Sequence, residues 1–178
     1  MIVILLFVAL LSPNTQRNVD TARLKLQAQE LSDATLNGDY ARAADLTFPK
    51  LVTLLGGRAK YIANLKKGMA EMDTPQFKIT SITVGEPQDI FEASQKHYAI
   101  VPTIMRMKVA EGILVGESYM IGISNDGGRN WTFVDPGDRP SAKEAFRTLF
   151  GAAAADQLRI PQIKRPVLYS GPNPLGTW

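Results

Sequence analysis

A carboxylate and a phenol two residues apart, Glu117 and Tyr119, are the pairing in this chain best suited to chemistry. On an extended strand, residues i and i+2 share a face. Residues 113–124 read as such a strand, which puts Ile113, Val115, Glu117, Tyr119, Ile121 and Ile123 side by side. That face is otherwise apolar, and a carboxylate there is driven toward its neutral form unless a base answers it. An acid of that kind, with a phenol beside it as hydrogen-bond donor, can move protons in a closed pocket. A plainer reading stands next to it: a glutamate near a sheet end, paired with Arg106 or Lys108 on the neighbouring strand. Arg106 divides in the same way, between recognising an anionic ligand and bridging strands on an outer face. Tyr61, on a helix face with Met69 and Met72, either touches a ligand or packs the core.

The rest of the composition removes chemistry. There is no cysteine, so disulfides, thiolate metal sites and cysteine nucleophiles are excluded. His97 is the only histidine and cannot build a multi-histidine metal site. Neither a metal nor a cofactor is expected. The net charge of +3 is confined to residues 157–178, where Arg159, Lys164 and Arg165 meet no acid. The remaining chain balances, and no basic patch is interleaved with aromatics. Nucleic acid is therefore not an expected partner.

The elements that must carry these residues follow from periodicity. Residues 20–37 read as a helix with Leu24, Ala28, Leu31 and Thr35 on one face. Asn18 or Asp20 can cap its start, and Gly38 suits its end. Asp39 caps a short second helix over 40–46. Pro49 begins a third, Gly56-Gly57 breaks it, and residues 58–73 resume as a helix. From Phe77 the period changes to two. Strands are expected over 77–84, 90–93, 97–109, 113–124 and 129–134, joined by short turns as an antiparallel meander. Pro102 lies inside the longest strand and predicts a bulge or an edge there. A final helix spans 141–150, with Ser141 as cap and Glu144 completing a capping box.

Between the last two strands stands Ser124-x-Asp126-x-Gly128-x-x-Trp131. The spacing resembles an Asp-box, a hairpin signature met in many exported proteins. Asp126 then bonds backbone amides of the turn rather than substrate or calcium, and Trp131 packs over it. Ile2 to Leu11 form an unbroken apolar run of ten, half of what a membrane span requires. The length matches the core of a secretory signal. We read residues 1–13 as a signal-like segment of an exported protein with no stable membrane span. Residues 14–156 form one domain, and 157–178 a proline-rich basic tail, disordered or extended.

Helix, short helix, a third helix broken at Pro49…Gly56-Gly57, then a bent antiparallel sheet: this order resembles the nuclear transport factor 2-like superfamily, also called cystatin-like, with its SnoaL-like cyclases and ketosteroid isomerases. The resemblance covers residues 20–134. It implies an α+β fold in which N-terminal helices pack in a strongly bent, cone-shaped sheet whose open end often holds a ligand. It also implies a homodimer through the outer sheet face. Catalytic acids and bases of the superfamily find no matched positions here. The expected function is an exported, non-catalytic module binding a small apolar molecule or a protein, with Tyr61, Arg106, Glu117 and Tyr119 as binding candidates. The alternative is a cofactor-independent isomerase or cyclase with Glu117 and Tyr119 as acid–base candidates.

Overall fold

The computed structural model describes residues 19–136 and 142–170. Four helices come first: α1 (Thr21–Leu36), α2 (Tyr40–Leu46), α3 (Pro49–Leu54) and α4 (Arg58–Glu71). Then follow β1 (Asp73–Thr74), β2 (Phe77–Val84), β3 (Gln88–Ala93), β4 (Lys96–Val109), β5 (Gly112–Ser124) and β6 (Thr132–Val134). Helices α5 (Ala142–Phe150) and α6 (Ala152–Ala155) and a strand β7 (Val167–Tyr169) complete the described residues. The helix starts have local causes. Asp20 accepts from the Arg23 N–H at 3.0 Å, and Asp39 from the Arg42 N–H at 3.0 Å. Each satisfies a donor that the first turn leaves open. Ser141, expected to cap α5, lies outside the described residues, as does the apolar run 2–11.

The strands form one strongly curled antiparallel sheet in the order β1-β2-β4-β5-β6. The long strands β4 and β5 pair from His97↔Ser124 to Val109↔Gly112. Each changes its outer partner halfway. β4 pairs with β3 over its first half and β2 over its second. β5 pairs with β7 at its start and β6 at its end. Pro102 marks the change on β4. It has no N–H to offer a ladder, and its carbonyl accepts the Gly85 N–H at 2.8 Å. A bulge at Thr80 shifts the register of β2. It changes the parity of that strand, so Ile79, opposite Met107, and Ile82, opposite Met105, both face inward.

The sheet has a core on each face. On the inner face, Leu24 and Ala28 of α1 pack against Ala99, Val101, Met120 and Phe133. On the outer face, Tyr98, Ile100, Tyr119, Ile121 and Ile123 are covered by Phe146, Leu149 and Phe150 of α5 and Ala154 and Ala155 of α6. Phe150 is the hub of this second core. Its ring lies 5.6 Å from Phe48, 5.6 Å from Tyr98 and 5.7 Å from Phe146. Such pairs add about 0.5–1.5 kcal/mol each beyond their burial. The alanine run 152–155 is helical. The outer face expected to pair two copies is thus covered around Tyr98 and Tyr119, and exposed at Ile104 and Glu117.

Two glutamines fasten α1 to the sheet. Gln29 spans the open edge of β2, donating to the Ile82 carbonyl at 2.9 Å and accepting the Val84 N–H at 3.0 Å. Its amide stands in for a neighbouring strand and closes an edge that would otherwise offer free backbone groups. Gln27 accepts the Trp131 N–H at 2.9 Å.

The Asp-box hairpin is held from within. Asp126 Oδ1 accepts the Asn130 N–H at 2.9 Å, the Arg129 N–H at 3.2 Å and the Ser124 hydroxyl at 2.9 Å. Trp131, 2% exposed, donates its indole N–H to the Gly128 carbonyl at 2.9 Å. Gly127 and Gly128 hold φ of +77° and +86°, which the turn requires and side chains disfavour. The Asn130 amide, then the Ser124 hydroxyl and Arg129 amide, hold the Asp126 carboxyl down at about 2, below its ordinary 3.8. The described part of the tail is extended: β7 lies on β5, and a Cβ at Gly112 would run into the Tyr169 carbonyl.

Asp126→Ala is expected to lower stability by on the order of 1 kcal/mol at neutral pH. Because the carboxyl is more acidic folded than unfolded, this contribution is complete above about pH 4 and fades as pH falls toward 2. Urea unfolding of both proteins across that range checks it; a constant difference would contradict it. Gly112→Ala is expected to detach β7, seen as faster proteolysis after Arg159 or Lys164 with the rest of the domain intact.

Candidate functional site, a cavity under the first helix

A cavity of about 430 Å³ lies between α1 and the inner face of the sheet. It exists because the residues that face it are too small to fill the curl. Along α1 the inward stripe runs from Leu24 and Ala28 to Leu31, Ser32 and Thr35, where two hydroxyl side chains stand in place of larger aliphatic ones. On the sheet, Thr103 and Ser118 stand opposite each other. Aliphatic side chains at these places would complete a core of native density. The remaining walls are apolar: Leu51 and Leu55 of α3 and its end, Leu65 of α4, Ile82, Met105, Met120 and Phe133. Phe146 and Leu149 of α5 close the far side.

The polar groups in this cavity are mostly acceptors. Thr35 gives its hydroxyl proton to the Leu31 carbonyl at 2.9 Å, and Ser32 gives its own to Ala28 at 3.2 Å. Thr47 donates to the Ala43 carbonyl at 2.8 Å and lies 3.0 Å from the Tyr61 hydroxyl. A hydroxyl has one proton. With that of Thr47 committed to Ala43, the Tyr61 phenol donates to Thr47 and turns its lone pairs to the cavity. Asp135 adds a carboxylate to the wall, and among the described lining residues there is no cation. Among the described residues such a site has oxygen lone pairs to offer and no cation. It suits a molecule that is mostly hydrocarbon and carries a hydroxyl, amide or amine donor. A bare carboxylate would lose its water with only the Thr103 and Ser118 hydroxyls to replace it.

Of the residues singled out by sequence, the structure brings Tyr61 to this cavity and leaves the others outside. Glu117 stands on the opposite face with its side chain 54% exposed, 3.4 Å from Lys164 of the tail. Tyr119 is 3% exposed and belongs to the outer core. Burial, then the Asp135 charge, pushes its phenol pKa up, so it stays neutral. Glu117 and Tyr119 therefore share a face as expected, but that face is not concave. Its apolar pattern reflects packing against α5 and α6. Arg106 lies across from Ser81 and Val115, away from the cavity, and its carbonyl accepts the Thr80 hydroxyl at 3.1 Å. The partner of Glu117 is Lys164, not Arg106 or Lys108. Met69 and Met72 are not part of the lining. His97 faces Glu92 at 3.8 Å. Among the described residues no cluster of acids or histidines could hold a metal.

Sequence reasoning missed the hydroxyl set of Ser32, Thr47, Thr103 and Ser118, and Asp135. A signal existed: Ser32 and Thr35 interrupt the apolar stripe of α1, and Thr103 and Ser118 interrupt apolar positions on the inward face of two paired strands.

Comparison with models of protein families, with curated proteins and with solved structures finds no match for this chain. Its chemistry is therefore read from the geometry. Ser118→Leu is expected to fill part of the cavity and weaken uptake of a neutral apolar dye such as Nile red at least about tenfold, with an unfolding temperature equal to or above wild type. Fluorescence titration and thermal unfolding together check this. Undiminished dye uptake by the S118L variant would show that the dye binds elsewhere.

Proposed function

We propose that this protein is a non-catalytic binding module for a small apolar molecule carrying one hydrogen-bond donor. The observation that carries the reading is the cavity under α1: apolar walls, Ser32, Thr35 and Thr47 hydroxyls committed to helix carbonyls, one carboxylate and no described cation. Its volume falls within the range of small-molecule sites, roughly 300–1,000 Å³. The curled sheet around α1 is, on this reading, the cone of the nuclear transport factor 2-like superfamily, and the cavity its ligand end. Export through the apolar run 2–11 would place the module where free lipids and other apolar metabolites need carriers.

The alternative, a cofactor-independent isomerase or cyclase, is favoured by one observation: Tyr61 and Asp135, a phenol and a carboxylate, both line the cavity. Glu117 plays no part in either version, since it faces solvent on the other side of the sheet. A single carboxylate can shuttle a proton between two carbons of a bound ligand. Binding is preferred because one carboxylate and a phenol committed to Thr47 are a sparse catalytic set.

Displacement of Nile red by decanol and by decanoate at pH 8 distinguishes charge from hydrocarbon. Decanol is expected to bind at least about tenfold more tightly, because a decanoate carboxylate would be desolvated with no described lining cation to pair with. Equal affinity, or a preference for decanoate, would contradict the reading. Glu117→Gln is expected to leave decanol affinity unchanged. Turnover of a bound ligand that Asp135→Asn abolishes would replace the binding reading with the enzymatic one. The export proposal predicts that mass spectrometry of native protein shows a chain lacking Met1 to about Ser12; full-length protein throughout would contradict it.

A further inference from the structure

We propose that the α3–α4 hairpin docks this protein on an anionic lipid surface. Neither helix has a fully buried residue. Between them the chain exposes two adjacent leucines, Leu54 at 58% and Leu55 at 42%, and Met72 at 38% follows the end of α4. Leu54 does not line the cavity, so its exposure is not explained by the binding site. Leu55 belongs to both, forming a cavity wall while facing solvent.

The charge around these leucines is net positive. Lys50, Arg58, Lys60, Lys66 and Lys67 stand against Asp45 and Glu71. Arg58 is paired with Asp45 at 2.9 Å, and Lys67 lies 3.8 Å from Glu71. Lys50 donates to the Thr148 and Leu149 carbonyls at the end of α5. Lys60 and Lys66 are exposed on the solvent side of α4. Lys60 lays its aliphatic stem across Gly56, beside the two leucines. A side chain in that pose keeps its methylenes with the apolar residues and its ammonium at the level of lipid phosphates.

Exposed leucines flanked by lysines are the composition of an interfacial segment, which gains from apolar insertion and from anionic headgroups together. A protein partner with an acidic groove would use the charge. It would not account as well for two adjacent leucines at the tip of a shallow, loosely packed turn. The remaining chain outside the tail carries a compensating excess of acid, so the positive hairpin orients the molecule toward a negative surface.

Sedimentation with vesicles tests the proposal. Full-length protein is expected to bind mixed phosphatidylcholine–phosphatidylglycerol vesicles at least about tenfold more strongly than phosphatidylcholine alone, and to release in high salt. The double variant K60E/K66E and the single variant L54S are each expected to lose about tenfold or more of that binding. Decanol displacement of Nile red on the same variants should be unchanged, since none of these residues lines the cavity; this reports folding and separates docking from ligand binding. Equal binding to both vesicle types overturns the proposal. So does unchanged binding by either variant. Absence of vesicle binding with normal decanol uptake overturns it too, leaving the hairpin to an acidic protein while the cavity reading stands.

Discussion

The curl of β4 and β5 leaves more room under α1 than the helix can fill. Two antiparallel strands of this length, each changing partners halfway, bend around anything packed on their inner face. At the upper end Leu24 and Ala28 fill that bend with Val101, Met120 and Phe133. From Leu31 on, the helix lines the space with Leu31, Ser32 and Thr35, and Thr103 and Ser118 answer from the sheet. Packing there is given up over the last turn or so of α1, in a chain that packs both faces of its sheet around Tyr98 and Val101. A void of this size is costly to leave in a core, and it persists because the surrounding elements are fixed by other contacts.

Those contacts lie around the cavity, not in it. Gln27 and Gln29 hold α1 to the hairpin on one side and to the edge of β2 on the other. The Asp-box anchors Trp131 under the helix start, and the aromatic hub at Phe150 fastens α5 against the outer sheet face. With the frame braced from outside, the inner space need not collapse. The exception is the α3–α4 hairpin, whose half-buried leucines rest on the cavity without a deep core of their own. The frame is rigid on three sides and shallowly packed on the fourth, which is the geometry a ligand needs to enter.

Much of this fold is legible in the chain. Caps at Asp20 and Asp39, Pro49 and the glycine pair locate the helices, and the shift to period two at Phe77 locates the sheet. The Asp-box spacing gives its hydrogen bonds in advance. What misleads is parity. Alternation on β5 says that one face is apolar and cannot say what covers it. The odd face of Ile121 and Ile123 is the more apolar because α5 and α6 bury it, and those helices come later in the chain. The even face looks weaker since Ser118 and Gly122 break it, and one of those breaks is the cavity floor. The pairing of the tail with β5 depends on Gly112 lacking a side chain, a steric fact visible only once Tyr169 is beside it.

The central claim is that the space under α1 is open to a neutral apolar ligand. Met105 and Met120 line it, whereas Met69 on α4 and Met72 at its end lie outside it. Methyl NMR of methionine-labelled protein titrated with decanol tests the claim at these positions. The account predicts saturable shifts at Met105 and Met120 with Met69 and Met72 nearly still. Shifts confined to Met69 and Met72, or none at Met105 and Met120 while decanol binds, would contradict it.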